Sequence, residues 1–252
     1  MSMLLQVQGL GKRFGGFVAL DSINLDVAQG ERVGLIGPNG SGKSTLVNCL
    51  CGTLANETGT VTFDGDIMNG LAAHERTHRG MARSFQLPRP FGSLSVADNV
   101  RIPLIYTVNA RSHTTLKTHE HTHLSNAQID ARCAELLGLV GLANKANKLP
   151  RDLTQVEMRK IELARAMASD PKLLIADESM AGLSQSEVED IVSLLIKLNE
   201  RGITIILIEH IMRAVMSFSQ RLVVLVSGKK IADGKPEDVV NNPQVIGAYL
   251  GE

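Results

Sequence analysis

The chain of 252 residues has no tryptophan, two tyrosines and six phenylalanines, so aromatic side chains make up 3% of it. That scarcity leaves little material for the stacking platforms with which single-stranded nucleic-acid binders hold bases. An excess of charge of one sign is also missing. The 26 basic residues balance the 26 acidic ones, which removes any global electrostatic reason to expect nucleic acid or an anionic membrane as a partner. Cysteine is sparse: Cys49, Cys51 and Cys133 stand at no metal-ligand spacing and no signal peptide precedes them, so free structural thiols in a reducing cytoplasm are expected. The longest apolar runs, such as residues 203–208, have the length of a strand and fall far short of the ~20 residues of a spanning helix. The length suits one large domain, or one with a subdomain, rather than two independent enzymes.

What the chain does hold is the run Gly37-Pro38-Asn39-Gly40-Ser41-Gly42-Lys43-Ser44-Thr45, a full match to the phosphate-loop pattern G-x-x-x-x-G-K-[ST]. Glycines let the backbone curl so that its N–H groups converge on phosphate oxygens. Lys43 reaches the β- and γ-phosphates, Ser44 offers a hydroxyl to Mg²⁺, and the helix that opens here turns its positive end to the same anion. The apolar residues 32–36 before the loop and the helix-compatible residues 45–50 after it supply the strand, loop and helix that the pattern needs. The chain is expected to bind a nucleoside triphosphate.

Around the loop, short β-like runs at residues 4–8, 23–27 and 60–63, the last closed by Asp64-Gly65, predict an antiparallel sheet. Residues 87–150 read as mostly helical, with amphipathic spacing at Ile129, Cys133, Leu136, Leu137 and Val140 and a glycine break at residues 138–141. From Lys172 onward strand and helix alternate: strands at 173–176, 203–208 and 222–226, helices at 186–200 and 211–217. That alternation predicts a parallel α/β core. The fold class is therefore α/β: a phosphate-loop NTPase core with a mixed parallel sheet, an N-terminal antiparallel β-subdomain and an inserted α-helical subdomain. Residues 110–124 include His113, His119, His121 and His123, but the stretch is polar and threonine-rich with no supporting Cys or Asp, and it reads as a solvated loop rather than a metal site.

The second half narrows the chemistry. Leu173-Leu174-Ile175-Ala176-Asp177-Glu178 is a buried strand ending in two carboxylates, where Asp177 can hold Mg²⁺ through water and Glu178 can polarise an attacking water. Taken alone it could be an acidic strand end in solvent; downstream of a complete phosphate loop it reads as the Walker B pattern with its base.

The order of the remaining motifs resembles that of the ATP-binding subunits of ABC transporters along essentially the whole chain. The resemblance implies one ATP-binding domain over residues 1–252, with 1–86 and 159–252 as the ATPase core and 87–158 as the helical, signature-bearing part. It implies ATP and Mg²⁺ as ligands. Phe14, in Lys12-Arg13-Phe14-Gly15, stands where this family stacks a ring on adenine, although as a lone Phe it reads equally as core. Gln86, in Arg83-Ser84-Phe85-Gln86, matches the glutamine that touches Mg²⁺ and water. Ala181-Gly182-Leu183-Ser184 stands at the dimer-crossing loop. His210, after Ile208-Glu209, matches the switch histidine that bonds the γ-phosphate.

One motif departs from the family. Where the family reads Leu-Ser-Gly-Gly-Gln, this chain has Leu153-Thr154-Gln155-Val156-Glu157. Thr154 and Glu157 form a capping box that preserves the helix start. Val156, however, replaces a glycine whose N–H approaches the γ-phosphate on the opposite subunit, and a β-branched side chain there hinders that approach. Slowed closure of the partner's site is the expectation. A heterodimer with a second ATP-binding subunit is favoured, since it keeps one intact site; a homodimer would carry the defect twice.

Within the family, residues 12–16, 82–86 and 245–252 resemble importers of branched-chain and other hydrophobic amino acids. That implies permease subunits, an extracytoplasmic binding protein as an indirect partner, no nucleic acid, and a peripheral place on the cytoplasmic face of the inner membrane. The end at Tyr249-Leu250-Gly251-Glu252 fits a minimal motor subunit with no appended regulatory domain. The readings in competition are another ABC motor, such as one of the lipopolysaccharide-export type with a similar end, and a catalytically weak subunit that clamps its partner by binding ATP. A soluble ABC-type ATPase acting on DNA or ribosomes is disfavoured, because neither a second cassette nor a long coiled-coil insertion is present. The cargo never touches such a subunit and is not written in its sequence.

Overall fold

The computed structural model describes residues 2–84, 87–108 and 124–250. The chain opens with the long strands β1 (Met3–Phe14) and β2 (Phe17–Ala28). In β2, buried Ile23, Leu25 and Val27 alternate with exposed Asn24 and Asp26, the period of a strand with one wet face. Next come β3 (Arg32–Ile36), α1 (Lys43–Cys51), β4 (Thr58–Phe63) and β5 (Asp66–Ile67). Strands β2-β1-β4-β5 form a four-stranded sheet in which every pair is antiparallel, as the alternating runs predict.

The chain continues through α2 (Ala73–His78), β6 (Met81–Ser84), α3 (Val96–Pro103) with a π-helical turn at Leu104–Val108, and α4 (Asn126–Leu139). After α4 the backbone turns away at Gly141, whose φ of 74° is left-handed, within the glycine break read from the sequence. Helix α5 (Gln155–Met167) starts at Thr154, whose side chain accepts the Glu157 N–H while the Glu157 carboxylate accepts the Thr154 N–H at 2.9 Å. This is the capping box expected from those two residues. The histidine-bearing residues 113–123 and Gln86 lie outside the described residues.

The rest alternates: β7 (Leu173–Asp177), α6 (Gln185–Glu200), β8 (Thr204–Ile208), α7 (Met212–Phe218), β9 (Arg221–Val226), β10 (Lys229–Gly234), α8 (Pro236–Val240) and α9 (Pro243–Leu250). The second sheet has the order β10-β9-β3-β8-β7-β6, parallel except for β10 at its edge. Its inner strands β9, β3, β8 and β7 are apolar on both faces because both are covered. In β7, Leu174 and Ala176 face a core built with α3, α4, α5 and α6, whereas Leu173 and Ile175 face the core shared with α1 and the antiparallel sheet. In β8, Ile205 and Leu207 divide from Ile206 and Ile208 in the same way. This alternation decides which way each residue at a strand end points.

One buried charge secures α1. Arg76 of α2 donates from Nη1 to the carbonyls of Cys49 and Leu50, each at 2.7 Å, satisfying acceptors at the C-terminal end of α1 that no helix bond reaches.

Candidate active site

Strands β3, β8 and β7 are parallel and adjacent, so their carboxyl ends share one edge of the sheet. Residues 37–42 leave β3 there, Glu209 and His210 follow β8, and Asp177 ends β7 with Glu178 just beyond it. Segments distant in sequence meet where open α/β sheets bind ligands.

The loop's geometry demands glycine at two places. At Gly37 (φ 154°) a Cβ would lie 2.1 Å from the Leu225 carbonyl oxygen, and at Gly42 (φ 104°) it would lie 2.7 Å from that of Ala19. Gly42 then starts α1 with no side-chain cap, so the first-turn N–H groups face outward as donors for an anion. Lys43 curls over the loop, its Nζ donating to the carbonyls of Gly37 at 2.8 Å and Pro38 at 3.1 Å and to Ser41 Oγ at 3.4 Å. Burial lowers the Lys43 pKa, and the carboxylates of Glu178 and Asp177 act against that; the three charges share one site. Ser44 is exposed, as are Asn39 and Gly40 at the loop's tip, and Pro38 and Thr45 are partly so. Phe14 ends β1 with 51% of its surface exposed and Lys12 Nζ 5.5 Å from its ring centre. The core reading of Phe14 is thereby excluded.

Asp177 points to the α1 side of the sheet. Its Oδ2 lies 2.6 Å from Arg83 Nη2, and Nη1 of the same guanidinium lies 2.7 Å from Asn48 Oδ1 on α1. Glu178 adopts φ 44°, a left-handed backbone that costs a non-glycine residue on the order of 1 kcal/mol, and its N–H donates to the Ile208 carbonyl at 2.9 Å. The turn re-aims Glu178 away from the register of β7. His210 is exposed one residue beyond buried Glu209.

The signature segment and the loop after Glu178 meet within this one chain. Gln155 Nε2 and Arg159 Nη2 both approach the Ala181 carbonyl, at 3.4 and 3.2 Å. Gly182 takes φ 79° there, and Leu183 packs against the helical core. Ser184 caps α6 in a box with Glu187, its N–H 2.8 Å from the Glu187 carboxylate. Val156 is half-buried and also packs against the helical core, while Glu157 is ion-paired to Lys145 at 2.6 Å, which with the Thr154 N–H lowers its pKa.

Two oxygen donors for a divalent cation, Ser44 and Asp177, lie at this edge, and no group of three His, Cys, Asp or Glu residues able to hold a metal ion occurs among the described residues. A sparse set of hard oxygen donors fits Mg²⁺, which takes one or two protein ligands and completes its shell with phosphate and water.

Sequence reading missed Arg83, Asn48, Arg159 and Glu209. A charged residue inside an otherwise apolar strand is the signal that marks Arg83, and a carboxylate closing the most apolar run of the chain is the one that marks Glu209.

Comparison with known proteins supplies the context. Residues 20–181 match the family model described as ABC transporter, and residues 229–252 match one described as branched-chain amino acid ATP-binding cassette transporter. The chain is 37% identical over 250 residues to the high-affinity branched-chain amino acid transport ATP-binding protein BraF of Pseudomonas aeruginosa, covering 99% of this chain and 98% of that one. It is 38% identical over 251 residues to the corresponding LivG protein of Escherichia coli, with the same coverage, 99% and 98%. Among solved structures, an ATP-binding cassette of an ABC transporter in its ADP conformation superposes with a TM-score of 0.87 at 29% identity over 100% of both chains. A cassette solved as a dimer in a post-hydrolysis state with ADP and Pi gives 0.78 at 27% identity, covering 92% of this chain and 99% of that one.

Proposed function

The chain belongs to the ATP-binding cassette family of ABC transporters, in the branch of the branched-chain amino acid transport ATP-binding proteins, and we propose that it is the motor subunit of an importer for branched-chain or other hydrophobic amino acids. It is an ATP-hydrolysing transport ATPase. The observation that carries the reading is the convergence of the phosphate loop, Asp177 with Glu178, and His210 on the carboxyl edge of three adjacent strands.

In this reading residues 37–45 bind the phosphates, Lys43 exchanging the loop carbonyls it now bonds for phosphate oxygens, and Phe14 stacks on adenine. Ser44, Asp177 and, beyond the described residues, Gln86 would hold Mg²⁺, which when bound would supply neutralising charge to the triphosphate. Glu178 orients water for in-line attack, and His210 steadies the γ-phosphate. Residues 1–86 and 159–252 act as the ATPase core and 87–158 as the helical part.

The site is completed by a second ATP-binding subunit, whose signature segment closes over the γ-phosphate; the dimeric cassette with ADP and Pi supports this arrangement. Thr154, Gln155, Val156 and Glu157 are this chain's contribution to the partner's site, and 181–184 cross the interface. Val156 and the acidic Glu157 favour a heterodimer. No helix among the described residues is long and apolar enough to cross a membrane; in this reading attachment to the cytoplasmic face of the inner membrane runs through permease subunits, with exposed Leu87 and Phe91 as part of the docking surface. An extracytoplasmic binding protein delivers the cargo. The near full-length likeness to BraF and LivG favours this cargo over lipopolysaccharide export.

The test is transport. Proteoliposomes holding the chain with its cassette, permease and binding-protein partners should accumulate leucine, isoleucine or valine only with ATP on the cassette side. Accumulation of none of these, with ATP hydrolysis intact, would overturn the cargo assignment.

A further inference from the structure

Two buried charges on the far side of the sheet from Asp177 have no part in the chemistry described above. Glu209 is 1% exposed, and by the alternation of β8 it points toward α5. Its Oε1 accepts the buried Met180 N–H at 2.8 Å. Arg159, itself 5% exposed, donates to the Ala181 carbonyl at 3.2 Å from one turn below the start of α5. Met180 and Ala181 are consecutive, so a basic residue of the signature helix and an acidic residue of the β8 end hold backbone groups of neighbouring residues in one loop. That loop begins at Glu178, whose own N–H is tied to Ile208, the residue before Glu209.

Burying an opposite pair of charges is a poor way to gain stability, because desolvation consumes most of the attraction. An apolar pair would pack as well, but it would leave the Met180 N–H without its acceptor and the Ala181 carbonyl with only the longer contact to Gln155. Burial pushes the Glu209 pKa up to about 7 with the Glu178 carboxylate adding to the rise, while the Met180 and His210 amides and the Arg159 guanidinium favour its charged form. Glu209 thus lies within electrostatic reach of both Glu178 and Arg159.

Resting on the assignment of Glu178 and His210 to hydrolysis, we propose that Arg159 and Glu209 are positioning residues that clamp residues 178–184 between the signature helix and the strand end bearing His210. The clamp makes the position of Glu178 follow α5. When the signature helix of this chain swings to meet the partner's nucleotide, Arg159 draws Ala181 with it while Glu209 holds Met180 to the strand end, and the attacking geometry is assembled or dissolved in the same movement. Closure at one site of the dimer is thereby read at the other.

The test is a mutant cycle in the intact transporter complex, with Arg159→Met, Glu209→Met, the double variant and Arg159→Lys. Each of the first two is expected to lower kcat for ATP about tenfold and to change KM for ATP less than twofold, because misplacement of reacting groups costs turnover and not phosphate-loop binding. The double variant should be no slower than the slower single one, since both break the same clamp, and Arg159→Lys should recover part of the loss. Losses that multiply to about a hundredfold in the double variant, or a KM that moves with kcat, would overturn the proposal. Should Arg159→Met fail to fold, Glu209→Met decides alone, as it keeps the volume and removes the acceptor for the Met180 N–H; an unchanged kcat there overturns the proposal, and Glu209→Gln, which keeps that acceptor, should retain most of the parental kcat. Glu178→Gln, measured alongside, separates the two readings: a near-parental rate in that variant removes the base assignment, whereas the clamp stands or falls on the coupling between positions 159 and 209.

Discussion

Arg83 bridges Asp177 and Asn48 with the two ends of one guanidinium, 2.6 Å to the carboxylate and 2.7 Å to the amide. It thereby ties the end of β7 to the helix that follows the phosphate loop. The carboxylate read as the Mg²⁺ ligand is thus oriented by a cation on the neighbouring strand β6, with its second oxygen free of that bond.

Replacing Arg83 with Met should leave Asp177 in a largely dry site without its cation. Unfolding in urea is expected to show a loss of roughly 1–3 kcal/mol. The Mg²⁺ concentration giving half-maximal hydrolysis should rise about tenfold, as for other residues that orient a metal ligand. An unchanged Mg²⁺ requirement would remove the orienting role.

Val156 sits in the first turn of α5 with its side chain against the helical core. In the proposed dimer, glycine there would free a backbone N–H for the partner's γ-phosphate at a helix cost below about 1 kcal/mol. The Val156→Gly variant should therefore raise ATP turnover of the assembled dimer about tenfold or more, a part of what one lost donor costs in such sites. No increase in the purified dimer would count against the account of the altered signature.

Glu209 makes stability depend on pH in a direction that can be worked out. Its folded pKa, about 7, lies above the unfolded value of about 4.3, so the folded chain binds the proton more tightly. Stability therefore falls as pH rises from about 5 to 7, and the loss is complete above 7. The neutral Glu209→Gln variant lacks this loss, and it should gain on the parent by something on the order of 2 kcal/mol between pH 5 and 8. Parallel melting curves over that range would contradict it.

Much of this was legible in the chain. The antiparallel runs, the alternation from β7 to β9 and the capping box at Thr154 each depend on near neighbours in sequence, and each stands in the structure where local pattern puts it. Arg83, Asn48, Arg159 and Glu209 were not legible, because their meaning lies in which face of a strand or helix meets which loop. A period of two tells that Asp177 and Glu209 point somewhere; only sheet order tells that one meets Arg83 and the other the signature helix. The left-handed Glu178 is similarly silent in sequence, being fixed by the bond of its N–H to Ile208 across the sheet.

The proposed hydrolysis of ATP rests on Glu178 as the group that activates water. Single-turnover hydrolysis by the complex carrying Glu178→Gln, with ATP binding measured on the same sample, tests it most directly. The account predicts ATP bound as tightly as in the parent and a rate lower by about a hundredfold or more. A rate near the parental one, with binding intact, would contradict it.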